Sequence, residues 1–146
     1  MRIALASDHA GFELKQHVKQ LLTTDGHEVL DIGPDSDEST DYPRYARPAA
    51  ELVASGEAQR GVLVCGSGVG VSIVANKVAG VRAVNAHDAE EAQLARAHND
   101  ANVVTLSGRR FQGSDADAIV RAFMSGEFEG GRHARRVAAI EEHPPD

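Results

Sequence analysis

A cysteine that closes an apolar run and is followed at once by three alternating glycines stands out for its chemistry: Val64-Cys65-Gly66-Ser67-Gly68-Val69-Gly70. Glycines at this spacing let the chain turn tightly and aim successive N–H groups inward, forming an anion-binding nest where a helix begins. A thiol at the mouth of such a nest lies near N–H dipoles that favour a thiolate. Cys65 fits equally as a small, inert core residue ending a strand, and its position alone leaves both readings open. The spacing is not the dinucleotide fingerprint, and no Gly-Lys-Ser/Thr closes a Walker loop, so no nucleotide cofactor is expected.

Three further groups carry polar chemistry. Ser7-Asp8-His9-Ala10-Gly11 puts a carboxylate and an imidazole after an apolar run, suited to orienting a polar ligand or to capping a helix with Asp8. His98-Asn99-Asp100-Ala101-Asn102 reads as a helix end and turn, or as a source of a proton donor. Near the C-terminus, Arg132 and Arg136 are spaced i,i+4 and share a helical face, while Arg135 points elsewhere. Two guanidiniums on one face suit a phosphate, and equally a solvated stripe paired with Glu141 and Glu142. Arg109 and Arg110 add two more cations. The 7 histidines and single cysteine form no His-Glu-x-x-His, Cys-x-x-Cys or zinc set, so a metal-free mechanism is expected.

The elements that must position these residues alternate along the chain. Short β-rich runs at Arg2–Ser7, Glu28–Ile32, Gly61–Cys65, Val81–Ala86 and Asn102–Ser107 read as strands. Helical spacing marks Phe12–Leu22, Tyr42–Ser55, Val69–Val78, Ala89–Ala97 and Ala116–Met124, the last capped by Ser114 or Asp115. A final helix runs from near Gly131 to Glu142, stopped by Pro144-Pro145. Short, continuously apolar strands separated by helices predict a five-stranded parallel sheet in a three-layer, Rossmann-like α/β sandwich. Such sheets bind ligands beyond the carboxyl ends of their strands. The polar stretch Gly33–Asp41 is the longest irregular segment expected.

The 146 residues, 42% hydrophobic and 25% charged, suit one domain spanning 1–146. No apolar run nears the roughly 20 residues of a membrane span, and the start holds only about five apolar residues before an acid, too few for a signal-peptide core. One cysteine fits a reducing cytoplasm. A net charge of −7 argues against nucleic-acid or anionic-membrane partners. A small anion held by clustered arginines stays compatible with it.

Taken in order, Ser-Asp-His-Ala-Gly at 7–11, Asp-Tyr-Pro at 41–43, Cys-Gly-Ser-Gly-Val-Gly at 65–70, Ala-Asn-Lys at 75–77, Arg-x-His-Asn at 96–99 and Gly-Gly-Arg-His at 130–133 closely resemble the type B ribose-5-phosphate isomerases. That family includes the galactose-6-phosphate isomerase subunits. The resemblance implies a cofactor-free aldose–ketose isomerase acting on ribose 5-phosphate and ribulose 5-phosphate through a cis-enediolate. By position it makes Cys65 the base that moves a proton between C1 and C2. The amides of Gly66, Ser67, Gly68, Val69 and Gly70, with the Ser67 hydroxyl, would hold the enediolate. His98 would open the furanose ring, with Asp8 and Asn99 on sugar hydroxyls. His9, Arg109, Arg132 and Arg136 would take the phosphate. The glycine nest alone also suits phosphate; the resemblance assigns it to the oxyanion. One branch of the family uses a glutamate base where this chain has Val71, so the chain resembles the cysteine branch.

Chain direction adds an expectation about assembly. Asp8, His9 and Cys65 end strands and so lie on the carboxyl edge. His98 ends a helix running back to the amino edge, and Arg132 follows another. A small sugar cannot span both edges, so His98, Asn99, Arg132 and Arg136 are expected from a partner chain, in a homodimer (or a tetramer) with shared sites. The C-terminal helix, about 131–142, would pack on that partner. Rival substrates are four-carbon erythrose or erythrulose phosphates and six-carbon allose or galactose phosphates. A non-catalytic paired subunit is a further alternative, though this chain keeps Cys65, Ser67 and His98.

Overall fold

Alternation within each strand sends successive side chains to opposite faces of a sheet, and here both faces are apolar. Ile3, Leu5, Val62, Val64, Val104 and Leu106 pack on one side, while Ala4, Ala6, Leu63, Cys65 and Val103 pack on the other. A strand buried on both faces must lie between two layers of helices. The computed structural model, which describes residues 1–142, has that architecture. Its strands are β1 (Arg2–Ser7), β2 (Glu28–Gly33), β3 (Arg60–Cys65), β4 (Ala83–Asn85) and β5 (Val103–Ser107). Its helices are α1 (Phe12–Thr24), α2 (Pro43–Ala54), α3 (Val69–Asn76), α4 (Ala89–Asn99), α5 (Asp117–Ser125) and α6 (Arg132–Ala138).

All strand pairs are parallel, in the order β2-β1-β3-β5-β4. Helices α1, α4 and α5 cover one face, and α2 and α3 the other. The chain steps outward from β1 to β2 and then crosses back to β3. The connections after β1 and β3 therefore leave in opposite directions, which opens a crevice between their carboxyl ends. Asp8-His9 follows β1 and Cys65–Gly70 follows β3, so both predicted segments border this crevice. Gly11 is needed where they meet: a Cβ there would come within 2.7 Å of the Val64 side chain and 2.8 Å of its carbonyl.

One buried ion pair braces the β2 edge. Lys15, fully buried on α1, donates to Asp31 at 2.8 Å, and Lys19 reaches the same carboxylate at 2.9 Å. Asp31 also accepts from the Gly33 N–H at 3.0 Å, fixing the start of the loop that follows β2. Burial raises the Asp31 carboxyl, but these donors outweigh it and hold it below the ordinary carboxylate range.

Most element ends shift by one or two residues from the sequence reading, and four differences have a local reason. β4 is three residues, not Val81–Ala86, because the Asn102 side chain takes the Arg82 N–H in place of a ladder carbonyl. α5 starts at Asp117, after a 3-10 turn over Gly113–Ala116 whose capping box is formed by Gln112 and Asp115. α6 ends at Ala138 and not at Glu142, and the expected stop at Pro144-Pro145 lies outside the described residues. Asp8 does not occupy the N-cap position of α1; Gly11 does, and its N–H donates to the Asp8 carboxylate at 3.0 Å. Among the described residues no helix is long and apolar enough to cross a membrane.

Candidate active site

The glycine segment after β3 is shaped from below by β5. The Ser107 hydroxyl donates to the Gly66 carbonyl at 2.7 Å, and the Thr105 hydroxyl to the Gly68 carbonyl at 2.8 Å. The backbone N–H groups of Gly108 and Arg109 donate to the carbonyls of Cys65 and Gly66. With these carbonyls drawn toward β5, the loop turns through Gly68 at φ +77°, in the left-handed region, and enters α3. A Cβ at Gly68 would also strike the Leu106 backbone at 3.0 Å and the Asn85 side chain. The first amides of α3 have no acceptor in their own helix, so this end carries partial positive charge.

Cys65 is 4% exposed and free, and its Sγ accepts from the Gly68 N–H at 3.2 Å. A thiolate formed there meets a donor already aimed at it. The Ser67 hydroxyl is exposed and accepts from the Val69 N–H at 3.1 Å, which leaves its own proton free to donate outward. Val71, where the glutamate branch would carry its base, is buried at 1% exposure.

Around this loop stand the other residues expected on the carboxyl edge. The Arg109 guanidinium lies against Gly66, about where a Cβ would meet its Cζ at 3.0 Å. An open cavity of about 390 Å³ here is lined by Gly66, Ser67, His87, Ser107, Arg109 and Arg110. Asp8 is buried, with one oxygen on the Gly11 amide. Exposed His9 is clasped by the loop after β2: the Thr40 N–H lies 3.2 Å from its Nδ1 and the Thr40 carbonyl 3.1 Å. Both Thr40 groups meet Nδ1, which leaves Nε2 as the nitrogen open to a ligand.

A second group forms elsewhere, where α4 meets α6. His98 stacks on His133 with centroids 4.4 Å apart and planes 14° from parallel. Glu129 Oε2 lies 3.9 Å from His98 Nε2 and 3.6 Å from His133 Nε2. Burial, with the charges of His98, Arg132 and Arg136, pushes His133 below the usual imidazole range against the pull of Glu129. Arg132 and Arg136 are exposed on α6, and among the described residues neither pairs with a carboxylate; Glu141 instead accepts from the Gly80 N–H at 2.8 Å. Asn99 is exposed and lines a larger cavity of about 690 Å³ with residues of α3, β4 and Ile140. His98 is nine residues beyond Ala89, the first residue of α4, so it lies roughly 14 Å along the axis from that carboxyl-edge end. Within one subunit the structure thus joins Asp8, His9, Cys65–Gly70 and Arg109 at one edge. His98 and Asn99 instead border an open cavity with Val84, Asn85, His87 and Leu94, and Arg132 and Arg136 line neither that cavity nor the one beside Arg109.

Several residues at these sites are not evident from spacing. Thr40 holds His9 from 31 positions away, and Thr105 and Ser107 hold the glycine loop from 37 and 41. The Tyr42 ring covers Gly70, where a Cβ would stand 2.8 Å from its Cζ. Only the Asp-Tyr-Pro triplet hinted at Tyr42. No metal motif is visible in the sequence, yet His98, Glu129 and His133 bring ligating atoms within 4.8 Å of one another.

A family model described as Ribose/Galactose Isomerase matches residues 3–140. The chain belongs to the ribose/galactose isomerase family. It is 48% identical over 139 residues to ribose-5-phosphate isomerase B of Escherichia coli (strain K12), covering 95% of this chain and 93% of that protein. The crystal structure of a ribose 5-phosphate isomerase from Thermotoga maritima matches with TM-score 0.93 at 48% identity, over 96% of this chain and 97% of that one. That of ribose-5-phosphate isomerase B from Mycoplasma genitalium, with bound ribulose-5-phosphate, matches with TM-score 0.91 at 42% identity, over 96% and 93%. Family membership makes this chain a sugar-phosphate isomerase.

Proposed function

We propose that this isomerase interconverts D-ribose 5-phosphate and D-ribulose 5-phosphate through a cis-enediolate, with Cys65 as the base. The observation that carries this reading is the Cys65 sulfur, buried at the end of β3 and facing the Gly68 amide at 3.2 Å. The thiolate takes the C2 proton of the open aldose. The C2–H pair becomes the C1=C2 bond, and the carbonyl pair moves to O1. The O2 proton passes to O1, and the thiol returns its proton to C1, leaving a C2 carbonyl and the thiolate restored. Negative charge on O1 and O2 meets the amides of Gly66–Gly70 and the Ser67 hydroxyl; Arg109, expected on the phosphate, lies against Gly66 and so is proposed here to add its charge at the enediolate.

Ribose 5-phosphate arrives as a furanose, so its ring must open first. His98 gives a proton to O4 as the C1–O4 pair moves onto O4, while the O1 proton passes to water, which restores His98. Asp8 and Asn99 hold sugar hydroxyls, and His9, Arg132 and Arg136 hold the phosphate. These residues meet in a homodimer with two shared sites, each joining the β1 and β3 edge of one subunit to α4 and α6 of the other. Val69 and Ile73, 50% and 56% exposed one turn apart on α3, give an apolar face beside the glycine loop for that contact. A free buried thiol suits a reducing cytoplasm.

The test is kcat/KM of the purified protein, without added metal, on ribose, erythrose, allose and galactose phosphates. A dominant value on ribose 5-phosphate supports the assignment. Preference for a four- or six-carbon sugar would keep the mechanism and replace the substrate. Inactivity on all four would contradict the catalytic reading.

A further inference from the structure

We propose that Glu129 and His133 are positioning residues for His98, holding its imidazole in the orientation and charge state that ring opening requires. This rests on the reading of His98 as the ring opener. Neither residue needs to touch the sugar.

The main chain ties Glu129 directly to α4, and the turn that follows sets His133. The Glu129 N–H donates to the Ala97 carbonyl at 3.0 Å, one residue from His98. The Arg96 side chain donates to the Gly126 carbonyl at 3.2 Å, tying the start of the same segment to the same helical turn. Gly130 and Gly131, at φ +64° and +53°, then reverse the chain into α6, and the His133 N–H donates to the Gly130 carbonyl at 3.0 Å. This brings the buried His133 ring flat against the half-open His98 ring at 4.4 Å.

The three side chains divide the work. His133 is a rigid wall that fixes the plane of His98 while the outer face stays open. Its burial and the cations around it lower its pKa, which favours the uncharged ring beside His98. The Glu129 carboxylate, 3.9 Å from His98 Nε2, stabilises the protonated ring that must give a proton to O4. Chelation is the competing use of two imidazoles and a carboxylate. Stacked rings only 14° from parallel direct their nitrogen lone pairs side by side, whereas a tetrahedral ion needs them to converge.

The test exploits a difference between the two substrates. Ribulose 5-phosphate cannot close a furanose, because O5 carries the phosphate, so its enolisation needs no ring opener. Isomerisation of ribose 5-phosphate is compared with washout of deuterium from C1 of ribulose 5-phosphate for Glu129→Gln, His133→Ala, His133→Phe and His98→Asn. Glu129→Gln and His133→Ala are expected to slow isomerisation about tenfold or more, with washout held within about threefold. His133→Phe, which keeps a flat face, is expected to recover most of the rate. If isomerisation and washout fall together, or neither changes in Glu129→Gln and His133→Ala while His98→Asn separates them, the positioning role is overturned. If His98→Asn itself leaves the two reactions in their wild-type ratio, the ring-opening reading fails and takes this proposal with it.

Discussion

The amide of Gly68 points at the sulfur of Cys65 across 3.2 Å, and it does so from a backbone at φ +77° that L side chains rarely adopt. The donor and the turn that aims it are therefore one feature. Gly68→Ala adds a methyl group that meets the Leu106 backbone and the Asn85 side chain, and it strains the left-handed turn by about 1–2 kcal/mol. The expected result is a Tm lowered by several degrees and activity lost well beyond what the unfolded fraction explains. Thermal melting paired with kcat measured far below Tm checks this.

Arg132 and Arg136 are exposed, share a face of α6 and pair with no carboxylate among the described residues. If they hold phosphate, removing one charge-assisted bond costs about 1.5–3 kcal/mol of substrate binding. Arg136→Ala should then raise KM for ribose 5-phosphate by about 10- to 100-fold, with kcat changed far less. Steady-state kinetics separate the two. Unchanged KM would remove Arg136 from the phosphate site.

The dimer reading predicts that assembly and activity fail together. Ile73→Glu puts a charge in the middle of the exposed apolar face of α3 without touching the core. Light scattering should show a monomer that keeps its helical circular dichroism and loses turnover. A fully active monomer would contradict shared sites.

Acid stability tests the brace at the β2 edge. The Asp31 carboxyl is held low by Lys15 and Lys19, so its contribution to stability is complete above the unfolded value near pH 4. It is lost as pH falls through the lower folded value. Asp31→Asn should destabilise the protein at neutral pH by leaving Lys15 buried without its counter-ion, a loss of about 3–5 kcal/mol. It should also flatten the acid limb of stability below about pH 4. Urea denaturation across pH measures both.

How far the sequence carried depends on how local each signal was. The parallel sheet was readable because Arg2–Ser7, Gly61–Cys65 and Asn102–Ser107 are short apolar runs spaced by amphipathic helices. The three-residue β4 was not, because the Asn102 side chain that ends its ladder is 20 positions from Arg82. Cys65 and its glycines were visible as a contiguous motif. Thr40 behind His9, Ser107 beneath Gly66 and Glu129 between the two histidines were not, since each acts across a loop or a strand that only folding brings near. Asp8 showed the converse: its capping chemistry was readable, but the helix begins at Phe12, so the carboxylate holds the Gly11 amide instead.

The most direct test of the account is the kinetics of Cys65→Ser. A hydroxyl of nearly the same size keeps the loop and the Gly68 contact but gives a far poorer base. With Cys65 as the proton carrier, kcat on ribose 5-phosphate should fall at least about 100-fold, with KM within about threefold of wild type. Deuterium washout from C1 of ribulose 5-phosphate should fall with kcat. A variant that keeps kcat within about tenfold of wild type and still washes out deuterium would contradict Cys65 as the base.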